Sequence, residues 1–362
     1  MQVVGPRAVP RDGSVTRGRV GSRCDSSERG SVGSVGSGRL TQCPPCAMLS
    51  SYYRIFCMKS GGRILIAIRR RLQKAAGGPQ HRCHDLRESS AGALEAYYEK
   101  DGEPCIVNVA LDECRWIGAS GLSYSHDSLH PYIRTLVDYG RQIHTTYEGS
   151  YLERYWAAWT PSNLAEYLGL DAGACHPLLA RTPPLHDILP WSPSDRISYM
   201  QEERWMRRSD YRALCEAGAP PARSCGPKPE WFGTTRFARL VSIYESIKQN
   251  GYVIRDDATL PHWQRHIVVK CLVRGSDVRL VVAHGQHRAS ALSALGYETV
   301  PAVVHSGSSR GAVMVRRGDA AHWPLVRRGI FSQAQALSIF DRIFDAVPPG
   351  DIRTRLSASR PV

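Results

Sequence analysis

Long hydrophobic runs are missing from this chain of 362 residues, and so is any regular cysteine pattern. The apolar run at residues 64–68 is closed by three arginines and is far too short to span a bilayer. No other candidate transmembrane helix is found. The eleven cysteines are irregularly spaced and odd in number, which does not fit a disulfide framework. These absences predict a cytoplasmic protein with no membrane partner.

Acidic residues are scarce at the N-terminal end. Residues 1–82 hold 15 Lys and Arg but only 3 Asp and Glu, so +12 of the net charge of +14 lies there and +2 remains for the rest. This segment is rich in Arg, Ser, Gly and Val without period, which predicts disorder. We expect it to be upstream sequence translated from an early start codon, with Met48 or Met58 as the genuine start. A basic nucleic-acid arm and an organelle-targeting segment are the alternatives.

Helix-type and strand-type patterns alternate along the chain without a regular βαβ cadence, which predicts an α+β fold. Residues 1–60 are predicted to be disordered. Residues 61–216 are predicted to be an aromatic-rich, mainly helical region, and the Pro- and Gly-rich residues 217–232 a linker. A compact domain is expected at 233–310, and a C-terminal strand and helix at 311–362.

The most informative segment follows the apolar, β-branched run at residues 278–283. That strand pattern stops at Gly285, and a helix pattern starts at once with His287 and Arg288 in its first turn. The first N–H groups of a helix have no intrahelical partners and carry the positive end of the dipole. Because Gly allows a tight turn and basic side chains can pair with phosphate oxygens, this segment predicts an anion site. The alternative is a solvated surface turn.

The order of the predicted helices and strands in this region, and the residues themselves, resemble the ParB/sulfiredoxin-like superfamily. SIYESIKQNGYVI is similar to the family's helix and Asn-Gly turn, and VVAHGQHRASALSALGYETVPAVV to its phosphate-binding segment. The likeness covers about seventy to eighty residues of the chain and is closest to the GxHR branch. The flanking regions look like those of bacterial proteins with the same core. The resemblance implies a small mixed sheet with helices and a site for a nucleoside triphosphate, ATP or CTP, with Mg²⁺ bridging its phosphates.

By position, the resemblance implies that Gly285, Gln286, His287 and Arg288 contact the nucleotide. Two departures limit the transfer. Gln286 stands where sulfiredoxins carry their catalytic Cys, so the chain lacks the nucleophile of a sulfinic-acid reductase. Only one convincing helix follows His305, so we expect neither the helix-turn-helix domain of ParB proteins nor sequence-specific DNA binding.

Three classes of function stay open. The first is a nucleotide-binding protein, with or without slow hydrolysis. The second is a small-molecule or sugar kinase, for which Asp256 and Asp257 are the candidate catalytic carboxylates because phosphotransfer needs an acid group near the acceptor hydroxyl. The third is a DNA-associated protein or nuclease. The sequence does not decide whether the chain is an enzyme.

A metal site would have to come from histidines. His262 and His266 have the i, i+4 spacing of a helical metal pair, and His284 and His287 follow further along. The residues after His266, however, are predicted to form a strand rather than a helix. We therefore interpret these residues as surface histidines and predict no metal site.

Overall fold

The computed structural model describes residues 83–116, 118, 121–254, 265–305 and 311–349, together with residues 352, 354 and 356. All of them belong to one compact unit. The segment predicted at 1–60 to be disordered lies outside the described residues.

The described chain contains both strands and helices, with a long run of helices between the third and fourth strands. The strands are β1 His84–Asp85, β2 Cys105–Ala110, β3 Cys114–Trp116, β4 Ile267–Arg274, β5 Asp277–His284, β6 Thr299–Val304 and β7 Met314–Arg316. The helices are α1 Ala93–Glu99, α2 Pro131–Gly140, α3 Tyr151–Ala158, α4 Leu164–Tyr167, α5 Pro177–Arg181, α6 Asp195–Gln201, α7 Ser209–Glu216, α8 Glu230–Asn250, α9 Gln286–Ala294, α10 Pro324–Arg327 and α11 Gln333–Phe344. Short 3₁₀ helices span Arg204–Arg207 and Arg317–His322.

One mixed sheet organises these elements. Its strand order is β1-β2-β6-β4-β5-β3, and β7 pairs with β4 beside that path. The pairs β2/β6 and β4/β5 are antiparallel, whereas β3/β5, β4/β6 and β4/β7 are parallel. This mixture of parallel and antiparallel pairs with helices confirms the α+β prediction in general terms.

The hairpin β4/β5 is the centre of the sheet. Arg274 pairs with Asp277, so only two residues form the turn, and Gly275 adopts a φ of 62° there. A two-residue turn needs this left-handed conformation, which glycine adopts without steric cost. Six of the eight residues of β4 are buried, which explains why the strand is mostly apolar, with Lys270 as its one internal polar residue.

The predicted division at 217–232 differs from the structure. Strands β2 and β3 come from the region predicted to be mainly helical, yet β2 pairs with β6 and β3 with β5. Because strands from both sides of residues 217–232 share one sheet, that segment connects two parts of a single unit. It is also packed rather than free: Cys225 is fully buried, and the Gly226 N–H donates to the Trp159 carbonyl at 2.8 Å.

Helix α3 forms part of the aromatic core, as its apolar spacing indicates. Tyr155 and Trp156 are almost completely buried, and the Trp156 indole donates to the Arg223 carbonyl at 3.2 Å. The Trp156 ring also lies 5.7 Å from the ring of Phe232 in α8. These contacts join α3 to the segment that leads into α8.

The C-terminal helix begins with a capping box. Ser332 is the N-cap of α11, its hydroxyl accepts from the Gln335 N–H, and the Gln335 side chain accepts from the Ser332 N–H. This capping box satisfies two N–H groups that the helix itself cannot. Among the described helices, none has the length and apolar character that a bilayer crossing requires.

Candidate functional site

The turn from β5 into α9 has the geometry that the sequence predicts. Gly285 is the N-cap residue, with φ 80° and ψ 20°, and no side chain caps the helix. A Cβ atom at this position would lie only 3.0 Å from the Cα of Ile267. Glycine is therefore required both by the left-handed backbone and by the close approach of β4. The result is a helix start whose backbone N–H groups have no side-chain cap.

Arg288 has a structural role at this turn. Its two terminal nitrogens donate to the carbonyls of Arg265 at 2.5 Å and His266 at 2.7 Å. These charge-assisted bonds connect the first turn of α9 to the residues that lead into β4. The phosphate contact expected for Arg288 stays a prediction, and it would have to coexist with these bonds or replace them.

Gln286 points toward β3. Its Oε1 accepts a hydrogen bond from the Trp116 indole at 3.3 Å. The side chain thus ties the helix start to the neighbouring strand. An amide held in this way orients the turn and supplies no nucleophile.

His287 lies in an aromatic and strongly positive environment. Its ring stacks on the Tyr132 ring, with centroids 5.2 Å apart and planes at 18°. Burial, followed by the charges of Arg236, Arg239 and Arg223, lowers the pKa of His287 to about 3. The imidazole is therefore neutral at physiological pH. Its Nε2 is buried and has no hydrogen-bond partner in the part of the chain that the structure describes.

Three arginines and His287 form what we call the positive cluster: Arg223, Arg236, Arg239 and His287. Burial is the main cause that lowers the pKa of Arg236, and the charges of Arg223 and Arg239 lower it further. The Arg236 guanidinium lies 5.0 Å from the Phe232 ring centroid, and Arg236 and Arg239 form no ion pair with a described residue. The cluster therefore carries unneutralised positive charge.

Asp210 supplies a single carboxylate beside this cluster. It forms ion pairs with Arg223 and, at 3.2 Å, with Arg208. Burial opposes ionisation of Asp210, but the hydrogen bonds and charges of the two arginines outweigh it and lower its pKa. Because Arg208 and Arg223 share this carboxylate, it forms no ion pair with Arg236 or Arg239.

Sequence reasoning missed all three arginines of the cluster. In α8 the apolar face was the visible pattern, although Arg236 and Arg239 stand three residues apart and so lie on one side of the helix. That spacing could have predicted a shared positive surface on α8. No sequence pattern predicts the role of Arg223, because it lies in the segment predicted to be a linker, and only the packing of that segment brings it near His287.

Several predicted residues are not part of this assembly. Asp256, Asp257 and His262 lie outside the described residues. His266 is only 4% exposed, which differs from its interpretation as a surface histidine. Within the described ranges no three His, Cys, Asp or Glu side chains are placed to hold a metal ion.

The described residues around the positive cluster offer few ligands for a magnesium ion. Mg²⁺ prefers oxygen ligands, mainly carboxylates and phosphates. Asp210 is the carboxylate at the positive cluster, and its oxygens are already engaged by Arg208 and Arg223. The described residues therefore fit an anion and do not fit Mg²⁺.

The depressed pKa of His287 predicts a loss of stability in acid. The unfolded chain binds a proton on this residue near its ordinary pKa of 6.5, whereas the folded chain does so only near 3. The contribution of neutral His287 to the free energy of unfolding is therefore fully present above pH 6.5, and it is lost as the pH decreases toward 3. In His287→Gln, the slope of unfolding free energy against pH between 6 and 4 should decrease by about 1.4 kcal/mol per pH unit, which is the effect of one proton.

Urea denaturation at several pH values measures this slope. His322→Gln is the matched control, because it is the same substitution at an exposed histidine outside the positive cluster. An identical slope in His287→Gln and the wild type would show that His287 is not a buried neutral base.

Comparison of the chain with known protein families, with curated proteins and with solved structures finds no match.

Proposed function

We propose that this chain is a nucleoside-triphosphate-binding protein of the ParB/sulfiredoxin-like type, with the phosphates held at the start of α9 by the positive cluster. The observation that carries the proposal is the excess of positive charge beside His287, where Arg236 and Arg239 have no carboxylate partner among the described residues. A polyanion neutralises such a cluster. Planar guanidinium groups also match phosphate oxygens by paired hydrogen bonds.

The arrangement of helices supports the same conclusion. His287 lies in the first turn of α9, and Tyr132 lies in the first turn of α2. Because the two rings stack, the starts of these two helices lie side by side. Each start carries partial positive charge, which adds to the charge of the arginines.

The local topology agrees with the resemblance. Helix α8, the antiparallel pair β4/β5, the glycine turn, α9 and β6 follow one another in the order that the superfamily resemblance implies. Parallel pairing of β6 with β4 places the returning strand in the same sheet. This agreement supports assignment of the region 233–310 to the ParB/sulfiredoxin-like type, as part of the proposal.

The test is a calorimetric titration of the full chain with ATP, CTP and GTP, with and without Mg²⁺, beside the corresponding nucleosides. We expect at least one triphosphate to bind and its nucleoside to bind far more weakly. The double variant Arg236→Met with Arg239→Met should weaken binding by about 100-fold or more, because each charge-assisted contact contributes about 1.5–3 kcal/mol. Bound ligand at 100 times its Kd should also stabilise the wild type by about 2.7 kcal/mol.

The control is the double variant Arg327→Met with Arg328→Met, which removes two exposed arginines at the end of α10. It should bind as the wild type does. Equal affinity for triphosphates and nucleosides, or unchanged binding in the Arg236 and Arg239 variant, would contradict the proposal. Turnover of the bound nucleotide against a sugar or another hydroxyl acceptor would support the kinase alternative, and Asp256→Asn and Asp257→Asn would test it.

A further inference from the structure

A cleft with a different chemistry lies against the sheet on the side of α11. Lys270 and Leu272 of β4 share a face with Val281 of β5, because Lys270 and Val281 are register partners and alternate residues of a strand point the same way. Ile343 of α11 and Trp191 also line the cleft, which has an empty volume of about 740 Å³, including space open to solvent.

The walls of this cleft are mainly apolar and are well supported. The Trp191 ring makes edge contacts with the rings of Trp323 at 5.1 Å and Phe340 at 5.9 Å. The Ile343 side chain belongs to the buried face of α11. Trp191 and Ile343 are therefore held in place, and they offer a preformed surface for an apolar group.

The charges in the cleft do not balance. Arg196 and Asp187 form an ion pair at 3.3 Å, and Lys270 makes no hydrogen bond or ion pair with any residue that the structure describes. His186, also in the lining, is hydrogen-bonded to the Tyr211 hydroxyl at 3.0 Å, and burial lowers its pKa to about 4, so it adds no charge near neutral pH. One positive charge is left, on Lys270.

Burial of this positive charge is energetically unfavourable. An ammonium group removed from water loses hydration free energy unless an anion or hydrogen-bond acceptors replace the water. Burial, and after it the charge of Arg196, lowers the pKa of Lys270. A ligand carboxylate beside the ammonium group would offset the lost hydration free energy. The apolar remainder of the ligand would contact the walls of the cleft.

We propose that this cleft binds a small organic monocarboxylate, with Lys270 as the partner of the carboxylate and Trp191, Leu272 and Ile343 as the surface for its apolar body. A single unpaired cation matches a single negative charge. None of these residues belongs to the positive cluster, so the proposal goes beyond nucleotide binding and does not depend on it.

Phenylacetate and hexanoate are suitable probes, with phenylacetamide, hexanamide and acetate as comparison ligands. Titration of the full chain, followed by ligand-observed NMR, should show binding of the two acids. The uncharged amides should bind about 10-fold to 100-fold more weakly, because they lose the charge-assisted contact, and acetate should bind weakly because it lacks the apolar body. Equal binding of acids and amides would overturn the proposal.

Lys270→Met should weaken phenylacetate binding by a similar factor, whereas Lys248→Met, at an exposed position of α8, should not change it. The Arg236→Met and Arg239→Met double variant should also bind phenylacetate normally, which separates this site from the nucleotide proposal. If Lys270→Met fails to fold, labelling of the wild type with an amine-reactive reagent decides: phenylacetate should protect Lys270 and leave Lys248 reactive. Unprotected Lys270, or unchanged binding by a folded Lys270→Met, would refute the assignment.

Discussion

Arg288→Met is expected to destabilise the folded chain by about 3 kcal/mol. The guanidinium donates to the carbonyls of Arg265 and His266, at 2.5 and 2.7 Å, and Met retains much of the side-chain length without any donor. Hydrogen bonds from a charged donor contribute about 1.5–3 kcal/mol each, and loss of the donor leaves two carbonyl groups without this partner. Urea denaturation followed by far-UV circular dichroism measures the change.

Arg239→Met is the matched control for this experiment. Arg239 is exposed and forms no ion pair or hydrogen bond with a described residue, so its loss should change the unfolding free energy by less than about 0.5 kcal/mol. The two variants therefore separate the structural arginine from the arginine proposed to bind phosphate. Wild-type stability in Arg288→Met would show that its carbonyl contacts contribute nothing to the fold.

Gly226→Ala is expected to cost about 3 kcal/mol of unfolding free energy. A Cβ atom at position 226 would lie 2.2 Å from the Trp156 carbonyl oxygen, and the Gly226 N–H is bonded to the Trp159 carbonyl. Because the opposing atom is backbone, the whole segment must move, and overpacking of this kind reaches the upper end of its usual range. The melting temperature and a urea titration both report the effect.

A flexible linker would tolerate the same methyl group, so this experiment tests how the predicted linker behaves. Gly318→Ala provides the comparison, since a Cβ atom there meets nothing within 4 Å. That control should stay within about 0.5 kcal/mol of the wild type. If Gly226→Ala matched the control, the segment at 217–232 would be loosely attached, contrary to its burial in the structure.

Local structure was predictable where one short segment contains all the determinants. The hairpin β4/β5, the glycine at the start of α9 and the capping box of α11 each depend on residues a few positions apart. Backbone sterics, strand register and end-of-helix hydrogen bonds act over that distance. The same reasoning located Gly285 and His287 as the start of a helix beside a strand.

The partners of those residues were not predictable in the same way. Gln286 bonds Trp116 and His287 stacks on Tyr132, and each partner lies more than 150 positions earlier in the chain. Arg223 reaches His287 from a segment whose Pro and Gly content suggested flexibility. No periodic pattern encodes such contacts, because they arise when separate elements bury a common surface.

By itself, the sequence determined the mixed α/β character of the chain and the glycine turn into a helix with basic residues in its first turn, because local backbone chemistry sets both. The tertiary structure alone decided that Arg288 donates to backbone carbonyls, whereas Arg236 and Arg239 form no ion pair with a described residue. An arginine in a sequence has the same charge wherever it stands. Only the neighbours in the folded chain decide whether its guanidinium group is bonded to backbone carbonyls or has no such partner.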